Sequence, residues 1–300
     1  MRNSVYLLAI CATLGLNTLT SCQSCVDAAN KAKEAIEEKA NDRTSPRYLR
    51  DSEEWGKVVK NRIDVTDFSK LEAVGLVDIV YEQKDSFSVF VHGNEKVLDL
   101  YDFEVNNGKL QAKFKSDEKG RKTMPAIRIY VEAPNVDFIH MSGSGDVYLT
   151  SPAILEGDLT ITIDGSGDID IKDLSCAAFK VQINGSGDFN MDNLECENAS
   201  MTVNGSGDVK AASVACMDDA SFVINGSGDI NSSVTCRNLH AELNGDGEAK
   251  FNVKSTLVEA ISVGKGEIEL KGTTKKFIKQ KRGLGKIVSK DLEADDVELR

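Results

Sequence analysis

From about Arg62 onward the apolar and polar residues alternate with a period of two. "VDIVYEQ", "FSVFVHG", "KLQAKFK" and "AIRIYVEAP" are β-branched or aromatic runs of four to seven residues, punctuated by Gly, Asn and Pro. The pattern predicts strands, and no stretch after residue 60 has the 3.6-residue stripe of an amphipathic helix. Residues 62–300 are therefore expected to be nearly all β.

A second, longer period lies over the first. The leading glycine of a G-x-G triplet falls at Gly143, Gly165, Gly185, Gly205, Gly226, Gly245, Gly264 and Gly283, in steps of 22, 20, 20, 21, 19, 19 and 19. Five of the eight copies read G-S-G-D, which makes Gly143, Gly145, Gly165, Gly167, Gly185, Gly187, Gly205, Gly207, Gly226 and Gly228 the expected structural turns. After each turn comes an apolar pair one residue apart, such as Ile169 and Ile171 or Phe189 and Met191. Before the next come Ile161 and Ile163, Val181 and Ile183, Met201 and Val203, Ala241 and Leu243, Ile261 and Val263, all expected to point into a common interior. A unit of about twenty residues cannot bury its own apolar face, but stacked units can, each hydrogen-bonding in parallel register to its neighbours. The predicted fold is a parallel β-helix, or β-solenoid, whose eight coils span on the order of 40 Å at about 4.8 Å per strand. A β-propeller needs blades of about 40 antiparallel residues, which this period disfavours.

The cysteines give the same register. Cys176, Cys196, Cys216 and Cys236 are twenty apart, each two residues after Leu174, Leu194, Val214 or Val234. This parity puts the four sulfurs in one buried column. Free thiols acting as small hydrophobes are the favoured reading, followed by disulfides between adjacent coils. Metal binding comes last, because no histidine joins them and no pair has C-x-x-C spacing. A second column, Asp146, Asp168, Asp188, Asp208 and Asp229, continues as Glu248, Glu267 and Lys286. It could hold calcium, as in nine-residue β-roll repeats, but a twenty-residue period with one aspartate does not reproduce that site. Carboxylates that accept turn N–H groups are favoured, with Asn184, Asn204, Asn225 and Asn244 doing likewise. No cofactor or metal is expected. The glycines do not form a phosphate loop either, since every G-S-G leads into a strand and none opens a helix.

The N-terminus is a targeting segment. Arg2 precedes an apolar run from Val5 to Leu16, and Leu19-Thr20-Ser21-Cys22 matches a bacterial lipobox. Residues 1–21 are read as a lipoprotein signal peptide with Cys22 as the lipidation site, giving a membrane partner through an N-terminal lipid. Gln23, rather than aspartate, follows the cysteine and favours the outer membrane, with the periplasmic or cell-surface side left open. Residues 22–61 form the lipidated N-terminus and a helical or flexible tether, since residues 26–45 are rich in Ala, Lys and Glu with little to bury. The β-helix domain takes 62–300, with degenerate first coils over 62–140 and the repeat coils over 141–300.

Charge narrows the partners. A net charge of −12 and 6 % aromatics argue against nucleic acid. His92, His140 and His240 fall in different coils without a shared serine or cysteine, so no catalytic residue is assigned. One stretch runs against the acidic balance: residues 271–290, "KGTTKKFIKQKRGLGKIVSK", hold eight Lys or Arg and no acid. It reads either as a solubilising guard on the terminal strand edge or as a contact for an anionic envelope component.

"DFSKLEAVGLVDIVYEQ", "VLDLYDFEVNNGKLQAKFK", "IRIYVEAPNVDFIHMSGSGDV" and the serial G-S-G-D turns resemble the family described as putative auto-transporter adhesin, head GIN domain, found in Bacteroidetes lipoproteins. The resemblance covers roughly residues 62–290. It implies a right-handed, pectin-lyase-like parallel β-helix, no retained catalytic residues and a role in cell adhesion. The last three copies, GDGE, GKGE and GLGK, depart from the motif. The expected function is non-catalytic binding of a surface glycan, mucin or protein at the cell envelope, with oligomeric state open. The alternatives are a polysaccharide lyase or hydrolase and a passive structural element.

Overall fold

The computed structural model describes residues 51–115 and 124–300, so Cys22 and the tether over 26–45 lie outside the described residues. From Leu159 onward the chain is a parallel β-solenoid. β11 (Leu159–Gly165), β13 (Ala178–Gly185), β15 (Asn198–Gly205), β17 (Asp219–Gly226), β19 (Asn238–Gly245) and β21 (Leu257–Gly264) stack in register as a first face. β12 (Ile169–Ser175), β14 (Phe189–Cys196), β16 (Val209–Cys216), β18 (Ile230–Thr235) and β20 (Glu248–Lys254) run between the corners and stack likewise. β22 (Glu267–Gly283) and β23 (Lys286–Leu299) each make almost a whole coil as one continuous strand.

In β12 and β14 the inward parity breaks once. Ile169 and Ile171 are buried, Lys172 is exposed, and Leu174 and Cys176 are buried again, so the strand bends at Lys172 and forms a second and a third face. The bend accounts for one change in period. β18 alternates strictly from Ile230 through Ser232 and Val234 to Cys236, having one residue fewer at the position of the bend, and the ladder with β16 shifts at Ala211/Ser213. The longer step of 21 comes from an extra residue beside Met217, which is 54 % exposed.

Core columns run along the axis. Leu159, Phe179, Ala199, Ala220, Leu239, Val258 and Phe277 form one, and Ile163, Ile183, Val203, Ile224, Leu243 and Ser262 another, all buried. Here one expectation is corrected. Ile261 and Val263 do not face the interior: Val258, Ala260 and Ser262 do, with Ile261 paired beside Glu242. Inward positions lie two and four residues before the corner glycine, and that geometry overrides the apolarity of the odd positions.

The first part of the domain also differs from the expected degenerate coils. β2 (Lys70–Gly75) and β3 (Val77–Gln83) turn a true corner at Gly75, in register with β8 (Phe138–Gly143) and β9 (Val147–Leu149). Around them, β1 (Val58–Ile63) pairs antiparallel with β4 (Ser88–Asn94), and β4 pairs antiparallel with β7 (Ile127–Ala133). β5 (Tyr101–Asn106) pairs antiparallel with β6 (Lys109–Phe114), after a four-residue helix α1 (Glu95–Leu98). Alternating runs of this kind have the same period in either strand direction, so the sequence pattern does not separate a coil from a hairpin. The antiparallel strands close the N-terminal end of the stack, where Trp55, Phe68, Val97 and Leu98 join the core.

Candidate functional site

The corners are built from stacked glycines. Gly165, Gly185 and Gly205 have φ near +155° (+152°, +155° and +154°), and a Cβ on any of them would overlap the carbonyl oxygen of the corner glycine one coil back. Gly143 and Gly226 repeat this arrangement with φ of +143° and +155°. At the second glycines, Gly145 meets the Val77 carbonyl, while Gly167, Gly187, Gly207 and Gly228 meet the preceding second glycine. Only a residue without a side chain allows backbones to approach this closely.

The aspartate column sits beside these corners. Asp168 N–H donates to Asp146 Oδ1 (2.9 Å), Asp188 N–H to Asp168 Oδ1 (2.9 Å), Asp208 N–H to Asp188 Oδ1 (2.9 Å) and Asp229 N–H to Asp208 Oδ1 (3.0 Å). Glu248 N–H extends the series to Asp229 Oδ1 at 2.7 Å. Each carboxylate therefore ties the next coil down through an Oδ1 that accepts a backbone N–H. The stacking has an electrostatic cost: burial, opposed by the Asp188 N–H and reinforced by the Asp146, Asp188 and Asp170 carboxylates, raises the Asp168 pKa above the usual aspartate value.

The ladder begins one coil before the repeats. Asp146 N–H donates to Asp78 Oδ1 (3.1 Å), and buried Asp78 pairs with buried Arg128 (Nη2 to Oδ2, 3.0 Å). Asp78 lies in "GLVD", which keeps the first glycine and the aspartate but lacks the second glycine. A search for G-x-x-D finds it, whereas G-x-G does not.

The asparagines behave differently from the expectation that they accept turn N–H groups. Their side chains bond to one another across coils: Asn184 Nδ2 to Asp164 Oδ1, Asn204 Nδ2 to Asn184 Oδ1 and Asn225 Nδ2 to Asn204 Oδ1, all at 2.7 Å. Asn244 Nδ2 continues to Asn225 Oδ1 at 2.8 Å. This amide ladder lies on the outer side of the first face and ends in histidine and carboxylate groups. His140 Nε2 lies 2.9 Å from Asp164, and His240 lies 3.0 Å from Glu259 and 3.3 Å from Glu242. The three histidines remain apart, with His92 on the N-terminal cap strand β4.

Cys176, Cys196, Cys216 and Cys236 are free and buried. Cys196 and Cys216 approach to 3.3 Å between sulfurs, while burial pushes the Cys176 and Cys236 thiols up to about 12. These thiols are poor nucleophiles and act as packing groups in this structure.

An interior gap beside Leu71, Ile79, Leu110 and Ile129 measures about 10 Å³, room for no more than one water. The arrangement offers long, ordered polar faces.

Comparison with known proteins agrees with the geometry. A crystal structure of a putative adhesin from Bacteroides fragilis superposes with a TM-score of 0.59 at 22 % identity, covering 77 % of this chain and 96 % of that one. A putative adhesin from Parabacteroides merdae gives 0.66 at 20 %, covering 78 % and 97 %. A protein described as a putative lipid binding protein from Parabacteroides distasonis gives 0.68 at 25 %, covering 77 % and 96 %. No curated protein matches the chain. The family model described as "Putative auto-transporter adhesin, head GIN domain" matches residues 67–236 and 221–300, and the chain belongs to that family.

Proposed function

We propose that this protein is a non-catalytic adhesion module of the cell envelope, anchored through a lipid on Cys22, whose solenoid faces bind an extended surface glycan, mucin or protein. The observation that carries this reading is the amide ladder from Asp164 to Asn244, which repeats a donor and an acceptor once per coil along the first face. A strand spacing of about 4.8 Å is close to one sugar ring of an extended polysaccharide, so successive coils present matching polar groups to successive units of a linear ligand. Membership of an adhesin family supports the same role, and the neighbour described as lipid-binding supports an envelope ligand.

The test compares cells carrying the chain, cells lacking it and cells carrying Asn204→Ala with Asn225→Ala, on mucin-coated and glycan-coated surfaces. The reading predicts adhesion that depends on the chain and weakens in the double variant. Equal adhesion by all three would leave a passive envelope element as the better description. Metabolic labelling with a fatty acid analogue tests the anchor: label on the parent and none on Cys22→Ser is the expected result.

A further inference from the structure

The basic stretch at the C-terminal end is divided between the coil under the last strand and the open edge itself. Among the described residues β23 is the last strand of the stack, and its second half is acidic, with Asp291, Glu293, Asp295, Asp296 and Glu298. Six of the eight basic residues over 271–290 lie on β22: Lys271, Lys275, Lys276 and Lys279 fall within the stretch covered by β23, while Lys281 and Arg282 follow the last paired position, Lys279 opposite Leu299, and lie at the open edge. A guard against end-to-end pairing acts on the open edge itself, and charge alone would serve it, so an exposed leucine set among those cations needs another cause.

The corner apex shows what changes. The residue between the two glycines is Ser144, Ser166, Ser186, Ser206 and Ser227 in the first five copies, then Asp246, Lys265 and Leu284. These residues stack, because the corner glycines are paired coil to coil, with Gly264 opposite Gly283 and Leu284 N–H donating to the Gly264 carbonyl (2.8 Å). Leu284 is 78 % exposed, the most exposed of the large hydrophobic side chains among the described residues. Around it Lys265, Lys281, Arg282 and Lys286 are all exposed. Lys286 lies 3.8 Å from Glu267, and the other three form no ion pair among the described residues. Lys281 occupies a position that points inward in earlier coils, opposite Ser262, and at this open end it is free to turn outward.

A protruding leucine beside four exposed cations, three of them without an ion pair among the described residues, on a chain whose net charge is −12, is complementary to one kind of surface. Apolar groups that enter the interface add to the attraction of basic side chains for anionic headgroups. We propose that this corner docks on an anionic lipid surface, with Lys265, Lys281, Arg282 and Lys286 against phosphate headgroups and Leu284 inserted between them. β1 and β23 lie at opposite ends of the stack. The docking corner and the start of the described chain are therefore held apart by the length of the solenoid, which either lays the rod along one membrane or spans between two. The inference takes from the proposed function only its location at the envelope, and headgroup binding and glycan adhesion can each fail while the other holds.

The experiment is co-sedimentation of the full chain with vesicles of phosphatidylcholine alone and of phosphatidylcholine mixed with phosphatidylglycerol. Binding contributed by the N-terminal segment is common to parent and variants, so the measured quantity is the change in the ratio of anionic to neutral binding. The parent is expected to favour anionic vesicles at low salt and to lose that preference at high salt. Lys281→Gln with Arg282→Gln should lower the ratio roughly tenfold. Leu284→Ser, at a site too exposed to affect folding, should weaken anionic binding without altering the melting temperature. A ratio unchanged in the double variant overturns the proposal. Anionic binding unchanged in Leu284→Ser also overturns it, in favour of a soluble polyanion held by charge alone.

Discussion

A single aspartate of the column carries two opposed effects. The Asp168 side chain satisfies the Asp188 N–H, yet its charge is buried beside Asp146, Asp188 and Asp170. Its folded pKa lies above the unfolded one, so the ionised group disfavours folding at neutral pH, and this penalty fades as pH falls through the folded value. Asp168→Asn keeps the acceptor and removes the charge, and is expected to raise the melting temperature at pH 7. Asp168→Ala leaves the N–H without its partner and should cost about 1–2 kcal/mol in chemical denaturation. Gly185 has no such compromise. Gly185→Ala puts a Cβ against the Gly165 carbonyl at φ +155° and should cost about 3 kcal/mol or more. A denaturation midpoint like that of the parent would contradict the stacked-corner geometry.

At the level of the coil, the glycine interval and the cysteine interval carry most of the fold. Both are set by backbone geometry, which must repeat for coils to stack, so they are legible in the sequence. Side-chain roles are less so. Ile261 and Val263 read as core because they are apolar, and Ser262 is buried in their place because register is fixed from the corner. The N-terminal cap is hidden for a related reason: β4 and β7 alternate as well as any coil strand, and pairing direction leaves no periodic trace. The Asp78–Arg128 pair joins residues 50 apart, and only the fold brings them together. Ser232 shows the looseness that repetition tolerates, with a buried hydroxyl that has no hydrogen-bond partner between Ala211 and Phe251. Ser232→Ala is expected to stabilise the domain by about 1 kcal/mol. The cap strand has its own pH response. Burial, with Arg128 and then Lys60 nearby, holds the His92 pKa below its usual value. The unfolded chain therefore takes this proton first, and stability should decline as pH falls below about 6.5. His92→Gln should flatten that part of a stability profile measured against pH.

The whole molecule is a rod with unlike ends. Antiparallel strands close the N-terminal end, while at the other end the core columns run out in Lys279 and Lys281, opposite Ala260 and Ser262. Lys279 Nζ donates to the Ile287 carbonyl at 2.6 Å, so an inward lysine satisfies backbone where the core stops. Between the ends the outer face carries a regular polar ladder, which suits an extended ligand. The most direct measurement is incubation of the purified chain with an array of host mucins and acidic and neutral polysaccharides, reading retention and the chemistry of the recovered glycan together. The account predicts saturable retention of at least one extended ligand, recovered without new reducing or unsaturated ends. New chain ends that accumulate with time would contradict it and make the solenoid face an enzyme's substrate track.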